Sequence, residues 1–314
     1  MAEFAPTLLF MAAQLGADAP GLSLYVDGTN GSDTNNGKDW AHAFQTIQAA
    51  ITNQIANTTN LGDAIYIAPG SYAESLTGNL TRVSLIGVPG KYPWHIVSVR
   101  PTAGSAYHGT LFEALIKNIC FLSSDTTNKT LPAVLLDNAR YSIIEDCHFV
   151  GRDPTCIEGL QIGNTDAVAT AANFDFCIIR RNRFDTWFGN ASSFTHGIKV
   201  GRVAYDAGSS VKQMVGTSIE DNEVYALTYG IYIGVYCADY SVIRRNLVDS
   251  MESINGCTAV GIQVYGGYPV IADNRVNADN AITAPAAITN RVFWNCVTNT
   301  GTLPTPVMEL PVCA

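Results

Sequence analysis

A two-strand unit recurs through the middle and the C-terminal half of this 314-residue chain and constrains its fold more than any other feature. The unit is clearest at Gly230–Asn246, where the strand-like segment GIYIG is followed by a connector and by SVIRRN. The first segment recurs as GLQIG from Gly159, GIKVG from Gly197 and GIQVY from Gly261. The second recurs as SIIEDCHF, CIIRRNRF, TSIEDNEV, PVIADNRV and, less perfectly, RVFWNCV. Self-similarity at a period of about 20–50 residues indicates a solenoid.

Aligning the units places one residue of each in a single column, which reads Cys147, Asn182, Asn222, Asn246, Asn274 and Asn295. The segments are apolar and β-branched and are separated by Asn, Asp and Gly, so each rung should consist of strands. Rungs that repeat in the same order must stack in parallel, which predicts an all-β fold, the right-handed parallel β-helix. The asparagines should hydrogen-bond between rungs about 4.8 Å apart, as an asparagine ladder. The alternative is a β-sandwich with accidental repeats.

Two apolar columns should fill the interior of the coil. One lies three residues before the ladder column and consists of Ile144, Ile179, Ile219, Ile243, Ile271 and Val292. The other lies two residues after it and consists of Phe149, Phe184, Val224, Val248, Val276 and Val297.

Charged pairs follow the core Ile or Val and alternate in sign from rung to rung: Glu145-Asp146, Arg180-Arg181, Glu220-Asp221 and Arg244-Arg245. Opposite charges on neighbouring strands stabilise their pairing, so we interpret this charge ladder as a device that fixes the register. We expect each arginine to be held between acids of the rungs on both sides, which would make it a poor base.

Composition argues against several classes of partner. The formal net charge of −9 disfavours nucleic acid and anionic membranes, and no apolar run is long enough to span a bilayer. The eight cysteines form no CxxC pair, so a zinc site is not expected, and neither is another metal or cofactor. We expect reduced thiols, with a Cys237–Cys257 disulfide as the alternative.

The chain divides into an arm (1–20), a β-helix (21–298) whose segment 22–80 caps it, and an extended tail (299–314). The arm contains an apolar stretch similar to that of a signal peptide, but no Lys or Arg precedes it and Glu3 has the wrong sign. We therefore expect an arm rather than an export signal. Apolar termini are mobile unless tied down, so both ends should dock onto this chain or onto a partner.

The capping segment carries a denser motif: a strand, a loop rich in Asp, Gly and Asn, an amphipathic helix over about Phe44–Ile55, and a second strand ended by Pro69-Gly70. The helix should bury one face, formed by Phe44, Ile47, Ala50 and Ile51. The motif comprises Tyr25, Val26, Gly31, Asp33, Asn36, Gly37, Ala43, Phe44, Thr46, Ile47, Ala50, Ile51, Gly62, Asp63, Ile65, Ile67, Pro69, Gly70 and Tyr72.

With these residues the chain resembles the pectate-lyase-like family of right-handed parallel β-helix proteins. The resemblance implies a helix that caps the first rung of the coil. It does not imply one reaction, because the family includes polysaccharide lyases, glycoside hydrolases, epimerases and non-enzymatic phage spikes and fibres. Lyases of this fold use an arginine base beside carboxylates that bind Ca²⁺, so Ca²⁺ would be the cofactor if the chain were a lyase.

Two further columns flank the repeated glycine and form the candidate site. The residue before the glycine is Glu158, His196, Tyr229 or Val260, and the second residue after it is Gln161, Lys199, Tyr232 or Gln263. β-Elimination of a uronic acid polymer needs a base, an acid and a group that neutralises the carboxylate, and His196, Tyr229 and Lys199 match these roles, with Glu158 beside them. The plain alternative is an outward polar face.

For carbohydrate binding, the candidate residues are Gln161, Tyr232, Gln263 and the nearby Trp187, since exposed aromatic rings suit sugar stacking.

We expect a structural or recognition part of a larger assembly, specifically a phage virion protein (spike, fibre or capsid decoration) made in the host cytoplasm. It would form a homotrimer, contact other assembly proteins through its terminal arms and touch a glycan. The charged fraction of only 14% and the lack of a compelling catalytic set favour this expectation. The alternatives are a secreted or surface lyase or hydrolase of an acidic polysaccharide, and a non-catalytic carbohydrate-binding module.

Overall fold

The computed structural model describes residues 21–57, 62–90, 96–123, 131–152, 158–163, 174–186, 194–201, 214–234, 240–250, 260–265, 267–284, 292–293 and 295–298. The predicted arm and tail, Trp187, Cys237 and Cys257 lie outside these residues. Of the described cysteines, Cys120, Cys147 and Cys177 are free, buried thiols.

The strands form three faces that recur in each turn of a coil. Face 1 consists of β1 (Ser23–Val26), β2 (Asp63–Ile67), β5 (Val83–Gly87), β8 (Leu115–Lys117), β11 (Ile143–Glu145), β15 (Ile178–Arg180), β19 (Ser218–Glu220), β21 (Val242–Arg244), β24 (Val270–Ala272) and β27 (Val292–Phe293).

Face 2 follows each face 1 strand along the chain. It consists of β3 (Gly70–Tyr72), β6 (Val97–Val99), β9 (Ile119–Leu122), β12 (His148–Gly151), β16 (Arg183–Thr186), the first half of β20 (Glu223–Ile233), β22 (Leu247–Ser250), β25 (Arg275–Asn277) and β28 (Cys296–Thr298).

Face 3 completes the turn. It consists of β4 (Leu76–Thr81), β7 (Tyr107–Phe112), β10 (Val134–Arg140), β13 (Glu158–Ile162), β14 (Phe174–Asp175), β17 (Phe194–Val200), β18 (Met214–Val215), the second half of β20, β23 (Val260–Val264) and β26 (Asn280–Thr283).

Every named strand pair among the described residues is parallel, and each strand pairs with the equivalent strand of the next rung. A β-sandwich is therefore wrong, and the prediction of a right-handed parallel β-helix is confirmed.

The asparagine ladder forms at the corner between faces 1 and 2. The Oδ1 atom of Asn222 accepts hydrogen bonds from the backbone N–H and from Nδ2 of Asn182, at 3.0 and 3.1 Å. The Nδ2 atom of Asn222 donates to the carbonyl oxygen of Ile179, at 3.0 Å. The same pattern continues through Asn246 and Asn274 to Asn295. The ladder therefore satisfies backbone groups that a corner removes from the regular strand pairing.

The two apolar columns stack in register as predicted, from Ile144 and Ile179 to Val292 and from Phe149 and Phe184 to Val297. Their side chains are buried in the interior from Ile144 to Ile271 and from Phe149 to Val276. The rings of Phe149 and Phe184 stack with centroids 4.4 Å apart. These columns form one continuous core along the coil, as nearest-neighbour stacking requires.

The charge ladder also forms, but its pairing has a direction. Arg180 donates to Glu145 and Arg244 to Glu220, each at 2.7 Å and each to the preceding rung. Burial alone would raise the pKa of Asp146, but hydrogen bonds from Arg181 outweigh it and the pKa is lowered. The described hydrogen bonds of each arginine run to the preceding rung only. The pKa of Asp221 is nevertheless lowered, chiefly by its hydrogen bond from Arg245 and in part by the charge of Arg181, so an acid of the following rung also interacts with Arg181.

The capping helix α1 spans Ile47–Asn57 and contacts β1, β2 and β4. It begins three residues later than predicted because Phe44 is held in extended backbone: its N–H donates to the carbonyl of Tyr25, and its carbonyl accepts from Asp27. The carboxylate of Glu74 accepts from the backbone N–H groups of Ile47 and Gln48 and so caps the first turn. Within the described residues, no helix has the length and apolar character that a bilayer crossing requires.

Replacing Asn222 with Ala should lower the free energy of unfolding by about 2–5 kcal/mol, because the N–H of Asn182 and the carbonyl of Ile179 would lose their buried partner. Urea denaturation followed by circular dichroism measures this change. Asn277→Ala is the control, because that side chain is exposed on face 2, and it should change stability by less than about 0.5 kcal/mol. Equal losses in the two variants would contradict a stabilising ladder.

Candidate functional site

A column of four glycines at the corner between faces 2 and 3 positions the candidate site. A β carbon on Gly197 would lie 2.3 Å from Cγ1 of Val224 and 2.8 Å from the carbonyl oxygen of Gly230. Gly159, Gly230 and Gly261 are equally crowded by core side chains and by the next rung. Only glycine allows this close approach of the backbone to the core.

The residues around this corner stack in the register that the repeats predict. Glu158 pairs with His196, His196 with Tyr229, and Tyr229 with Val260. In the second column the order is Gln161, Lys199, Tyr232 and Gln263. Residues that are about 100 positions apart in the chain therefore form one patch on face 3.

Most of this patch is buried rather than outward and solvated. Glu158, Lys199 and His196 expose 2%, 4% and 6% of their surface. The Nζ atom of Lys199 lies 2.5 Å from Oε1 of Glu158, and Nδ1 of His196 lies 3.7 Å from the same oxygen. Gln161 donates to the carbonyl of Gly163, and Gln263 is also buried. The plain alternative of an outward polar face is therefore wrong, because these side chains form a buried polar cluster.

Burial controls the ionisation of this cluster. Desolvation raises the pKa of Glu158, and the neighbouring ammonium of Lys199 only partly opposes that effect. Burial also raises the pKa of Tyr229, and it raises the pKa of Tyr232 to about 12. Both tyrosines therefore stay neutral near pH 7, so neither supplies a phenolate base.

The aromatic rings form a packed group over the cluster. The rings of His196 and Tyr229 stack with centroids 4.9 Å apart, and Tyr232 lies edge-on to both at 5.3 Å. The ring of Tyr265, which is 45% exposed, lies 5.4 Å from that of Tyr232. Tyr229 and Tyr265 are therefore the parts of this group that solvent reaches.

The arrangement limits the chemistry of the predicted catalytic set. A group that neutralises a substrate carboxylate must present a positive charge, but the charge of Lys199 already faces Glu158 inside the protein. His196 is enclosed by its two tyrosine neighbours. The structure thus brings the predicted residues together, and their catalytic roles stay a prediction.

Metal-binding side chains do not cluster in the part of the chain that is described. No group of three or more His, Cys, Asp or Glu side chains there has the geometry to hold an ion. The carboxylates of the capping loop are used by the chain itself: Asp33 accepts from Gln45 and Thr46, and Asp27 accepts from Thr29 and Asn30.

Two outward histidine–aspartate pairs on the faces of the coil were not predicted from the sequence. On face 2, Nε2 of His148 lies 2.6 Å from Oδ1 of Asp185. On face 3, Nε2 of His108 lies 3.1 Å from Oδ2 of Asp137. The sequence contained a signal for the pair of His148 and Asp185, because both residues flank the core phenylalanines of neighbouring rungs. It contained none for the pair of His108 and Asp137, because that pair depends on an irregularity in β10.

Lys199→Met should lower the free energy of unfolding by about 3–5 kcal/mol, since it leaves the Glu158 carboxylate buried without its cation. The double variant Glu158→Met/Lys199→Met should recover most of this loss, because it removes both buried charges. Urea denaturation of the two single variants and the double variant provides the coupling energy. Additive losses would show that the two charges do not stabilise each other.

The sequence matches no protein-family model and no curated protein, whereas its fold has clear relatives among solved structures. An alginate lyase from Paenibacillus sp. strain FPU-7 matches over 82% of this chain and 86% of its own, with 15% identity and a TM-score of 0.53. A rhamnogalacturonan lyase matches over 82% and 69%, with 17% identity and a TM-score of 0.52. The pectate lyase Pel9A matches over 82% and 63%, with 13% identity and a TM-score of 0.52. The chain therefore has the right-handed parallel β-helix fold of the pectate-lyase-like proteins.

Proposed function

We propose that this protein is a recognition β-helix: a rigid, non-catalytic part of a larger assembly that contacts a polysaccharide through face 3. The observation that carries the proposal is the division of the candidate site into a buried, internally neutralised part and an accessible aromatic part. Lys199 and Glu158 neutralise each other's charge inside the protein, whereas the rings of Tyr229 and Tyr265 are accessible to solvent.

Aromatic rings supported from beneath are suited to sugar recognition. A sugar ring presents an apolar face that packs on an aromatic ring and hydroxyl groups that bond to its polar tip. Tyr229 and Tyr265 both contact Tyr232, which is itself buried, so little side-chain freedom is lost when a ligand binds.

The second candidate is a polysaccharide lyase. Its support is the single cluster formed by Glu158, His196, Lys199 and Tyr229, together with the fold shared with three lyases. In that case an acidic polysaccharide would be the substrate and Ca²⁺ the expected cofactor. A non-catalytic carbohydrate-binding module, the remaining alternative, would bind a sugar through the same tyrosines but would not be part of a larger assembly.

Incubation with pectate, alginate and capsular polysaccharides should show binding without unsaturated products, measured by affinity electrophoresis and by ultraviolet absorbance. Tyr265→Ala should weaken binding about tenfold, which corresponds to about 1.4 kcal/mol, because it removes the most exposed ring of the group. Trp40→Ala, which removes an exposed aromatic ring of the capping segment, should leave binding unchanged. Unsaturated products that disappear in His196→Ala would instead identify a lyase.

For the assembly, we propose a homotrimer within a phage virion, as a spike, fibre or capsid decoration protein, with residues 1–20 and 299–314 contacting neighbouring proteins. Aromatic side chains at the corner between faces 3 and 1 favour a contact between subunits there. The positions two residues before successive face 1 strands include Tyr141, Phe176, Tyr240 and Tyr268. The last two are 77% and 52% exposed, and interface cores are enriched in such residues.

Sedimentation equilibrium at micromolar concentration should give three times the chain mass of 33.6 kDa. The variant Tyr240→Ala/Tyr268→Ala should shift the protein toward the monomer, because it removes two exposed rings from the proposed contact. Trp40→Ala again provides the control. A monomer at every concentration would count against the trimer.

A further inference from the structure

We infer that the glycan site of face 3 selects a neutral polysaccharide over an acidic one, and that the amide of Gln263 and the hydroxyl of Tyr232 bind its hydroxyl groups. This inference rests on the proposed glycan recognition by Tyr229 and Tyr265, and it adds the chemical class of the ligand and the residues that distinguish it.

The second column of the candidate site runs along the coil and divides into two parts. In the order of the rungs, its members are Gln161, Lys199, Tyr232, Gln263 and Thr283. The protein itself uses the first two side chains. The amide of Gln161 donates to the carbonyl oxygen of Gly163, and the ammonium of Lys199 donates to Glu158.

The polar groups of the other members are left for a ligand. Within the described residues, no side-chain hydrogen bond joins the hydroxyl of Tyr232, the amide of Gln263 or the hydroxyl of Thr283 to the protein. Tyr232 and Gln263 expose only 4% and 6% of their surface, yet their polar atoms are not among those sealed from water. Polar groups placed this deeply nearly always have a partner in the protein, in water or in a ligand. These groups therefore offer unused hydrogen-bonding capacity where a ligand hydroxyl can reach it.

Gln263 lies on the outer side of the coil, next to the exposed ring of the site. Its neighbours Ile262 and Val264 are buried in the core, so the alternation along a strand places Gln263 and Tyr265 on the outer side. Gln263 pairs with Tyr232 of the preceding rung, and the ring of Tyr232 lies 5.4 Å from that of Tyr265. A sugar that packs on Tyr265 therefore has its hydroxyl groups beside the unused amide and phenol.

The charge of this part of face 3 is balanced inside the protein. In β13, β17, β23, β26 and the second half of β20, the only Asp, Glu, Lys or Arg residues are Glu158 and Lys199, which pair at 2.5 Å. An acidic sugar would lose water from its carboxylate here without gaining a cation, which is unfavourable. The hydroxyl groups of a neutral sugar both donate and accept, as do the amide of Gln263 and the phenol of Tyr232. Burial raises the pKa of Tyr232 to about 12, so this phenol keeps the proton that it donates.

Exposed arginines that suit an acidic sugar lie outside these strands. Arg183 on face 2 exposes 54% of its side chain, and Arg181 and Arg245 beside the asparagine ladder expose 44% and 43%. An acidic ligand that binds to these arginines would not depend on Tyr265. Binding is therefore assigned to face 3 only where Tyr265→Ala weakens it.

Isothermal titration of the full chain with neutral hexasaccharides of glucan, xylan, mannan and galactan, and with hexagalacturonate and hexamannuronate, tests the inference. At face 3, at least one neutral ligand should bind more tightly than both acidic ones. Gln263→Leu and Tyr232→Phe should each weaken that binding about threefold to tenfold, the usual effect of losing one hydrogen bond. Gln45→Leu on the exposed surface of the capping segment and Tyr225→Phe on face 2 make the same chemical changes and should leave it unchanged.

Gln263→Lys separates a role in specificity from a role in structure. The new ammonium beside the tyrosines can form a charge-assisted hydrogen bond with a sugar carboxylate. The ratio of neutral to acidic affinity should therefore fall about tenfold, with tighter binding of the acidic ligand. A damaged fold would instead weaken both classes of ligand, and far-ultraviolet circular dichroism of each variant would reveal it.

Three results would overturn the inference: an acidic hexasaccharide binds at face 3 as tightly as the best neutral one, Gln263→Leu or Tyr232→Phe leaves neutral binding unchanged, or Gln45→Leu weakens it as much as Gln263→Leu. If ligands bind through Tyr265 without a preference for neutral sugars, the proposed glycan recognition stands and this inference alone falls. If no ligand of either class binds, both fall.

Discussion

The hydrogen bond from one asparagine to the next is the interaction on which this structure depends. A chain that turns a corner between two sheets leaves N–H and carbonyl groups that neither sheet can pair. Here each asparagine side chain accepts from the rung before it through Oδ1 and donates to that rung's core carbonyl through Nδ2. The spacing of the rungs from Cys147 to Asn295 is thereby fixed at the corner, and the apolar columns, the glycine corner and the cluster of Glu158, His196 and Tyr229 share this register.

The corner also requires an unfavourable backbone conformation. The residue just before the ladder column has positive φ on five successive rungs, at Asp146, Arg181, Asp221, Arg245 and Asp273. Such a residue costs about 1–2 kcal/mol when it is not glycine. Charged side chains recover part of this cost, because Arg181 bonds to both oxygens of Asp146 and Arg245 to both oxygens of Asp221. The charge ladder and the asparagine ladder are thus two parts of one device.

Structural features that repeat from rung to rung could be predicted from the sequence, whereas features that occur only once could not. The ladder, the apolar columns and the register of Glu158, His196 and Tyr229 could be predicted because each position is written several times. The start of the capping helix could not, because it depends on the single backbone pairing of Phe44 with Tyr25 and Asp27. The burial of Lys199 beside Glu158 and the bulge at Asp137 each occur once, so neither leaves a periodic signal.

The unequal lengths of the rungs have an evolutionary consequence. Neighbouring ladder positions are separated by 35, 40, 24, 28 and 21 residues, yet the hydrogen bond from the backbone N–H of each to Oδ1 of the next stays within 3.0–3.1 Å. The surplus residues fall between the paired strands, so an insertion there alters the surface without shifting the coil. Related proteins with this fold can therefore change the segments between the strands rung by rung, and so acquire new binding specificities, while the coil itself stays the same.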